Sequence, residues 1–139
     1  MRALALDLGA KRIGIAVSDA LGITVRPVET IRRFSMAKDI ARLRHLVQEL
    51  EAEAIVVGLP LRMDNTQGDA ARSALTFAER LRVELALPVF TEDERLTSYE
   101  AEQIMIERAY TRKQRRERSD EFAAMIILRD FLSRTRTQN

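Results

Sequence analysis

The spacing of apolar positions changes repeatedly along the chain, between that of strands and that of helices. Ala3 to Leu8 is a nearly unbroken apolar run interrupted by Asp7, which predicts a buried strand. Two more strand-like runs follow, from about Arg12 to Val17 and from about Thr24 to Ile31. Their connections, through Gly9 and through the turn Asp19-Ala20-Leu21-Gly22, are short enough for antiparallel hairpins. The period then lengthens. Ile40, Leu43, Val47 and Leu50 fall at helical spacing behind Ser35, a suitable N-cap. AIVVGLP predicts a short buried strand and LRMDNTQG a loop. A second helix is expected over Asp69 to Leu85, a strand in PVFTED, and a third helix from Thr97, as its cap, to about Glu107. Residues 108–118 form a basic segment that can stay flexible until substrate binds. A last helix is expected from near Ser119 to near Ser133, with a frayed tail over residues 134–139.

The order is three strands, a helix, a strand, a helix, a strand and two helices. It implies a mixed five-stranded sheet, antiparallel first and then parallel, with helices on its faces. That is an α/β chain with the RNase H-like layout, and 139 residues suffice for one such domain with one sizeable core.

Composition narrows the chemistry. No Cys is present and His45 is the sole His, which excludes disulfides, thiolate metal sites and multi-His zinc sites. A metal would have to be held by oxygen, which points to Mg²⁺ or Mn²⁺. No apolar run reaches the roughly 20 residues that cross a bilayer, and the Asp7 interruption argues against a signal peptide, so a cytoplasmic protein without a membrane partner is expected. The net charge of +2 is small, but the sequence pI of about 9.4 favours a polyanionic partner.

Three places carry acids that could do chemistry. In the first strand, alternation puts Leu4, Leu6 and Leu8 on one face and Ala3, Ala5 and Asp7 on the other. A carboxylate in such a strand is costly unless it is paired or metal-bound, although capping of the Gly9 turn is the plainer role. After the last strand, TEDERLTS offers Glu92, Asp93 and Glu94 where parallel sheets place their sites, and the residues alone do not say which points inward. At the last helix, Asp120 shares a face with Ala123, Ala124 and Ile127, and the alanines allow an approach toward Asp7. Helix capping by Ser119 or Asp120 is the alternative. Metal-dependent phosphodiester cleavage needs such a set, because two divalent ions about 4 Å apart activate water and stabilise the leaving oxygen. Just upstream, Arg108, Arg112, Lys113, Arg115, Arg116 and Arg118 suit phosphate neutralisation, with Tyr110 able to stack on a base; a solvated helix face is the competing role. Arg12, Arg95 and Thr97 flank the acids and are further phosphate candidates.

Taken together, DLGAKRIGIAVSD, GLPLRMDNTQG, TEDERLTSYEAE and RSDEFAAMIIL resemble, in this order, the four motifs of the YqgF/RuvX family. Its members are described as Holliday-junction-resolvase-like nucleases of precursor 16S rRNA. The resemblance spans essentially the whole chain. It implies an RNase H-like nuclease with Asp7, Glu94 and Asp120 as catalytic acids and metal ligands, and it selects Glu94 among its neighbours. Ser119 stands where the family often has an aliphatic residue. Glu121 stands where a small one is usual, adding an acid beside the site. The implied role is 5′-end processing of 16S rRNA precursor, with cleavage of branched DNA as the alternative. Other classes are a non-catalytic nucleic-acid-binding module and an actin-like ATPase, for which DLG would be a phosphate loop. The chain is too short for the second loop and second domain of such an ATPase. Monomer and homodimer are both open.

Overall fold

The computed structural model describes residues 1–60, 68–94 and 97–138. Five strands and four helices appear in chain order: β1 (Ala3–Leu8), β2 (Arg12–Ser18), β3 (Val25–Arg32), α1 (Met36–Glu49), β4 (Ala54–Leu59), α2 (Asp69–Leu85), β5 (Val89–Asp93), α3 (Thr97–Glu107) and α4 (Arg112–Gln138). The strands form one sheet in the order β3-β2-β1-β4-β5. β1, β2 and β3 pair antiparallel, and β4 and β5 add to β1 in parallel. The expected mixed sheet is therefore present, with β1 at its centre.

The two faces of β1 are built differently. Leu4 and Leu6 join Ile13, Ile15, Ile55 and Val57 in a core covered by α1 and α2 through residues such as Leu43, Phe77 and Leu81. The opposite face carries Ala3, Ala5, Ala16 and Val56, and it is covered by α4, with α3 packed on the outer side of α4. Residues 121–128 of α4 are buried all round, because this stretch lies between the sheet and α3. That is the environment in which a helix apolar on every side is stable. At its far end, α4 reaches β5, where Phe131 packs on Phe90 at 5.2 Å and Arg134 pairs with Glu92.

The expected starts of α1 and α2 hold. Ser35 caps α1 by accepting a bond from the Lys38 N–H. The last helix needs correction at both ends. It is 27 residues long, about 40 Å, and begins at Arg112 instead of near Ser119. The Thr111 hydroxyl accepts from the Gln114 N–H at 3.1 Å, and the Gln114 side chain accepts from the Thr111 N–H at 2.8 Å. This reciprocal capping box starts the helix two turns earlier and places Ser119 in its interior. The helix also continues through Gln138, across residues whose sequence suggested a frayed end. Among the described residues, no helix is long and apolar enough to cross a membrane.

Candidate active site

Asp7 lies near the C-terminal end of the central strand, on the face that α4 covers, as alternation predicts. The space around it comes from two glycines. Gly14 is its antiparallel partner on β2. A Cβ there would lie 1.9 Å from the Asp120 carbonyl oxygen, so only glycine lets the backbone of α4 come down onto the sheet at Asp120. Gly58 follows Val57, the parallel partner of Leu6, and thus stands beside Asp7 on the other side. A Cβ at Gly58 would lie 2.5 Å from Glu94 Oε2. One glycine admits the helix that carries one acid, and the other admits the carboxyl group of the second. Neither stands out in the sequence, where IGI and VVGLP look like ordinary strand text; the legible signal is their position level with Asp7 on the neighbouring strands.

Glu94 follows β5 directly, and its N–H bonds the Leu59 carbonyl at 3.3 Å. The Thr97 N–H in turn donates to the Glu94 carbonyl at 3.1 Å, which ties the start of α3 to the acid. Thr97 itself is buried, so it serves the turn from inside the fold. Of the three neighbouring acids, Glu92 is paired with Arg134 and Glu94 meets Asp7. Burial pushes the Glu94 carboxyl up to about 9; the nearby Asp7 charge, the hydrogen bond to Asp7 and the Asp93 charge add to this. The Asp7 carboxyl is also raised, first by burial, while the hydrogen bond from Glu94 pulls it down and the Asp120 charge pushes it up. At neutral pH, Glu94 keeps its proton and donates it to Asp7. Among the described residues, no cation forms a salt bridge with either acid.

Asp120 lies on α4 over β2, within electrostatic reach of Asp7. Its Oδ2 accepts from Arg12 Nε at 3.0 Å. Among the described residues, no three acids are close enough together to ring a metal ion at once. Two acids converge, and the third is turned to an arginine. Glu121 does not join them, because it is buried and pairs with Arg118 at 3.3 Å.

The basic segment divides in two. Arg115 bonds Glu102 at 2.9 Å and the Tyr110 carbonyl at 2.9 Å. Arg118 donates to the Tyr110 hydroxyl at 2.6 Å and lies over the rings of Tyr110 and Phe122, while Arg108 lies over Phe122. These residues clasp α3 to α4. Tyr110, held edge-on to Phe122, has its ring and hydroxyl both engaged. Arg112, Lys113 and Arg116 remain exposed, and among the described residues only Lys113 is near an acid, Glu117 at 4.0 Å. Arg112, Arg116 and Asp120 follow one another at four-residue spacing along one ridge of the helix. Arg95 and the 61–67 part of the central loop lie outside the described residues. His45 is exposed and beside Glu49, as its position off the apolar stripe suggests.

The family model described as "RuvX: Holliday junction resolvase" matches residues 1–134. This chain belongs to the RuvX family. Relatives include a protein of Listeria monocytogenes named "Putative pre-16S rRNA nuclease", 44% identical over 137 residues and covering 97% of this chain and 99% of the relative. One of the same name from Moorella thermoacetica is 42% identical, with 96% of each chain covered. Among solved structures, RuvC of Thermus thermophilus in complex with a Holliday junction substrate superposes with a TM-score of 0.59 at 15% identity, over 97% and 96% of the two chains. The fowlpox virus Holliday junction resolvase gives 0.60 at 14%, over 96% and 99%. At these identities the likeness establishes the fold alone, the RNase H-like layout expected from the order of the elements.

Proposed function

We propose that this RuvX-family protein is a metal-dependent nuclease that cleaves phosphodiester bonds in structured nucleic acid, with 5′-end processing of 16S rRNA precursor as its role. The observation that carries the reading is the Asp7–Glu94 carboxyl pair. It is buried between two glycines, lacks a cationic partner among the described residues, and lies at the C-terminal ends of β1 and β5. Two acids sharing a proton in this way form a site that lacks a positive charge. An all-oxygen set suits a hard divalent cation, Mg²⁺ or Mn²⁺, and excludes ions that need sulfur or imidazole.

Asp7 and Glu94 would hold the cation, and Asp120 would complete the set on leaving Arg12. When bound, the ion supplies a water nucleophile and stabilises the leaving oxygen. The protein's own residues do the rest. Glu94 would release its shared proton to solvent as the site is occupied. Arg12, freed from Asp120, is placed to meet a phosphate oxygen beside the acids. Arg112, Lys113 and Arg116 give the approaching backbone a positive path along α4 toward Asp120, and Arg95 adjoins Glu94 in sequence.

The names of the relatives favour an RNA precursor. Its expected place of action is then the cytoplasm, where bacteria such as those relatives mature their ribosomal RNA. The family description favours a second reading, resolution of four-way DNA junctions. That activity would need two symmetric sites and hence a homodimer, whereas processing an RNA end needs one. End-labelled structured RNA and a four-way DNA junction, each incubated with Mg²⁺, Mn²⁺ or EDTA, test the proposal. Metal-dependent cutting by the wild type, absent from Asp7→Asn, is expected, and the preferred substrate and the solution mass choose between the two readings. Binding of both substrates without cutting under any condition would replace the nuclease with a non-catalytic binding module.

A further inference from the structure

A second cluster of unpaired positive charge lies at the same end of the sheet, outside the basic segment of α4. The β1–β2 turn and the β3–α1 corner are bolted together there. The Arg33 N–H donates to the Lys11 carbonyl at 2.9 Å, and Arg33 Nη1 donates to the Gly9 carbonyl at 2.9 Å. Arg33 also pairs with buried Asp39 and lies over the Phe77 ring, so it is used up in holding the corner. The residues around it are different. Lys11 and Arg32 are exposed, and among the described residues neither side chain has an ion-pair partner. Arg32 is the direct cross-strand partner of Arg12. Like charges placed opposite each other on neighbouring strands destabilise a sheet, and Asp120 relieves only Arg12. Next to this pair, Phe34 is 72% exposed although it is a large aromatic side chain. Its N–H is fixed by Asp39 at 3.0 Å, so the corner holds the backbone that carries the ring.

Cations without acids, carried by the same corner as an exposed ring, are the two elements of a nucleic-acid platform: charge for the backbone, and a flat apolar face for a base. Cross-strand partners share a face of the sheet, so Arg32 and Arg12 lie in a row that leads from the β3 edge to Asp120 and Asp7. We infer that Lys11, Arg32 and Phe34 form an accessory site for structured nucleic acid, in which the two cations hold the backbone of the duplex flanking the scissile phosphate and Phe34 stacks on an unpaired base where that duplex opens into a single strand. This rests on the nuclease reading for the identity of the ligand and adds where the substrate is gripped and which feature is read. It selects a duplex-to-single-strand boundary over continuous duplex.

Equilibrium binding in EDTA tests it without turnover. The probes are a fluorescent RNA hairpin with a single-stranded 5′ tail and the same hairpin with a blunt end, titrated at several salt concentrations. The double variant Lys11→Gln/Arg32→Gln is expected to weaken binding of both and to lower the slope of log K against log salt by about 1.5 to 2, the signature of two lost phosphate contacts. Phe34→Ala is expected to leave the slope unchanged, to weaken the tailed hairpin about 5- to 100-fold, and to leave the blunt hairpin within about twofold. Lys11→Arg/Arg32→Lys, which keeps the charges, should bind as the wild type does, and circular dichroism melting checks folding of each variant. An unchanged slope in a folded Gln variant, or equal losses for both hairpins in Phe34→Ala, overturns the inference even if the wild type cuts RNA. The expected binding changes in a protein that never cuts would uphold the platform and overturn the nuclease reading; a wild type that binds neither hairpin overturns both.

Discussion

The two faces of β1 are one residue out of phase and have opposite purposes. Toward α1 and α2 the strand presents Leu4 and Leu6 to isoleucines, leucines and a phenylalanine, all fully buried or nearly so. Toward α4 it presents Ala3, Ala5 and then Asp7, with Gly14 and Gly58 level with the acid on either side. The first face fills space and supplies apolar burial. The second gives up side-chain volume so that a helix backbone and a second carboxyl group can come close. The comparison shows that a site of buried acids is made as much by what is removed from neighbouring strands as by the acids themselves. It also predicts that the same size of change on the two faces should have different consequences.

The largest contrast is chemical. Asp7→Asn keeps the shape of its face and is expected to lower metal-dependent cleavage on the order of a thousandfold or more, because it removes a charge that would hold the ion. Leu6→Ala, one residue away on the other face, is expected to cost about 2–5 kcal/mol of stability while cleavage per folded molecule stays near wild type. Chemical denaturation together with single-turnover cleavage of both variants reads the split; a Leu6→Ala protein that is folded but inactive would end the division of labour.

Filling the hollow comes next. Gly14→Val puts a side chain where the Asp120 carbonyl already lies. It is expected to cost about 3 kcal/mol or more and to lose cleavage even when folded, since α4 must lift and carry Asp120 away from Asp7. Recovery of cleavage on lowering the temperature until the variant is fully folded would show that the close approach matters for stability alone.

A smaller effect concerns pH. Glu94 is raised to about 9 in the folded, metal-free protein, above its ordinary 4.5. Between these values the unfolded chain has released this proton and the folded chain retains it, so metal-free stability declines as pH rises across that window. Glu94→Gln removes this decline. Its melting temperature in EDTA should exceed wild type by a few degrees near pH 8, and the advantage should shrink toward pH 5. By the same linkage, metal affinity of the wild type should rise with pH, because binding displaces the shared proton. Parallel melting curves of wild type and variant from pH 5 to 8 would contradict this account.

The mildest change is Arg12→Ala, which frees Asp120 from its partner at 3.0 Å. An exposed pair contributes little, about 0–1 kcal/mol, so stability should hardly move. Metal titration in the absence of nucleic acid should tighten slightly, while the substrate KM rises. Weaker metal binding in this variant would mean that Arg12 orients Asp120 for the ion.

Much of this molecule was legible one strand or helix at a time. The alternation of ALALDL placed Asp7 on the small-residue face, and the Ala123-Ala124 pair pointed to close packing of the last helix. The start of that helix was hidden because a run of arginines reads as a flexible basic segment for phosphate, although Thr111 and Gln114 carry a capping box at the right spacing. The roles of the arginines were not legible at all. Arg115 and Arg118 differ from Arg112 and Arg116 only in which way the helix turns them, and that depends on where α3 lies.

The sequence by itself determined the order of the elements, the mixed sheet, the absence of soft metal ligands and the three segments that hold the acids. These follow from local periodicity, turn chemistry and composition, which act over a few residues. The tertiary structure decided that Glu94 meets Asp7 while Glu92 pairs with Arg134, and that Asp120 turns to Arg12. It also decided that Gly14 and Gly58 supply the room. Those outcomes depend on strand register and on the distance between helix and sheet, which are set when distant segments come into contact, such as Arg12 and Asp120, 108 residues apart.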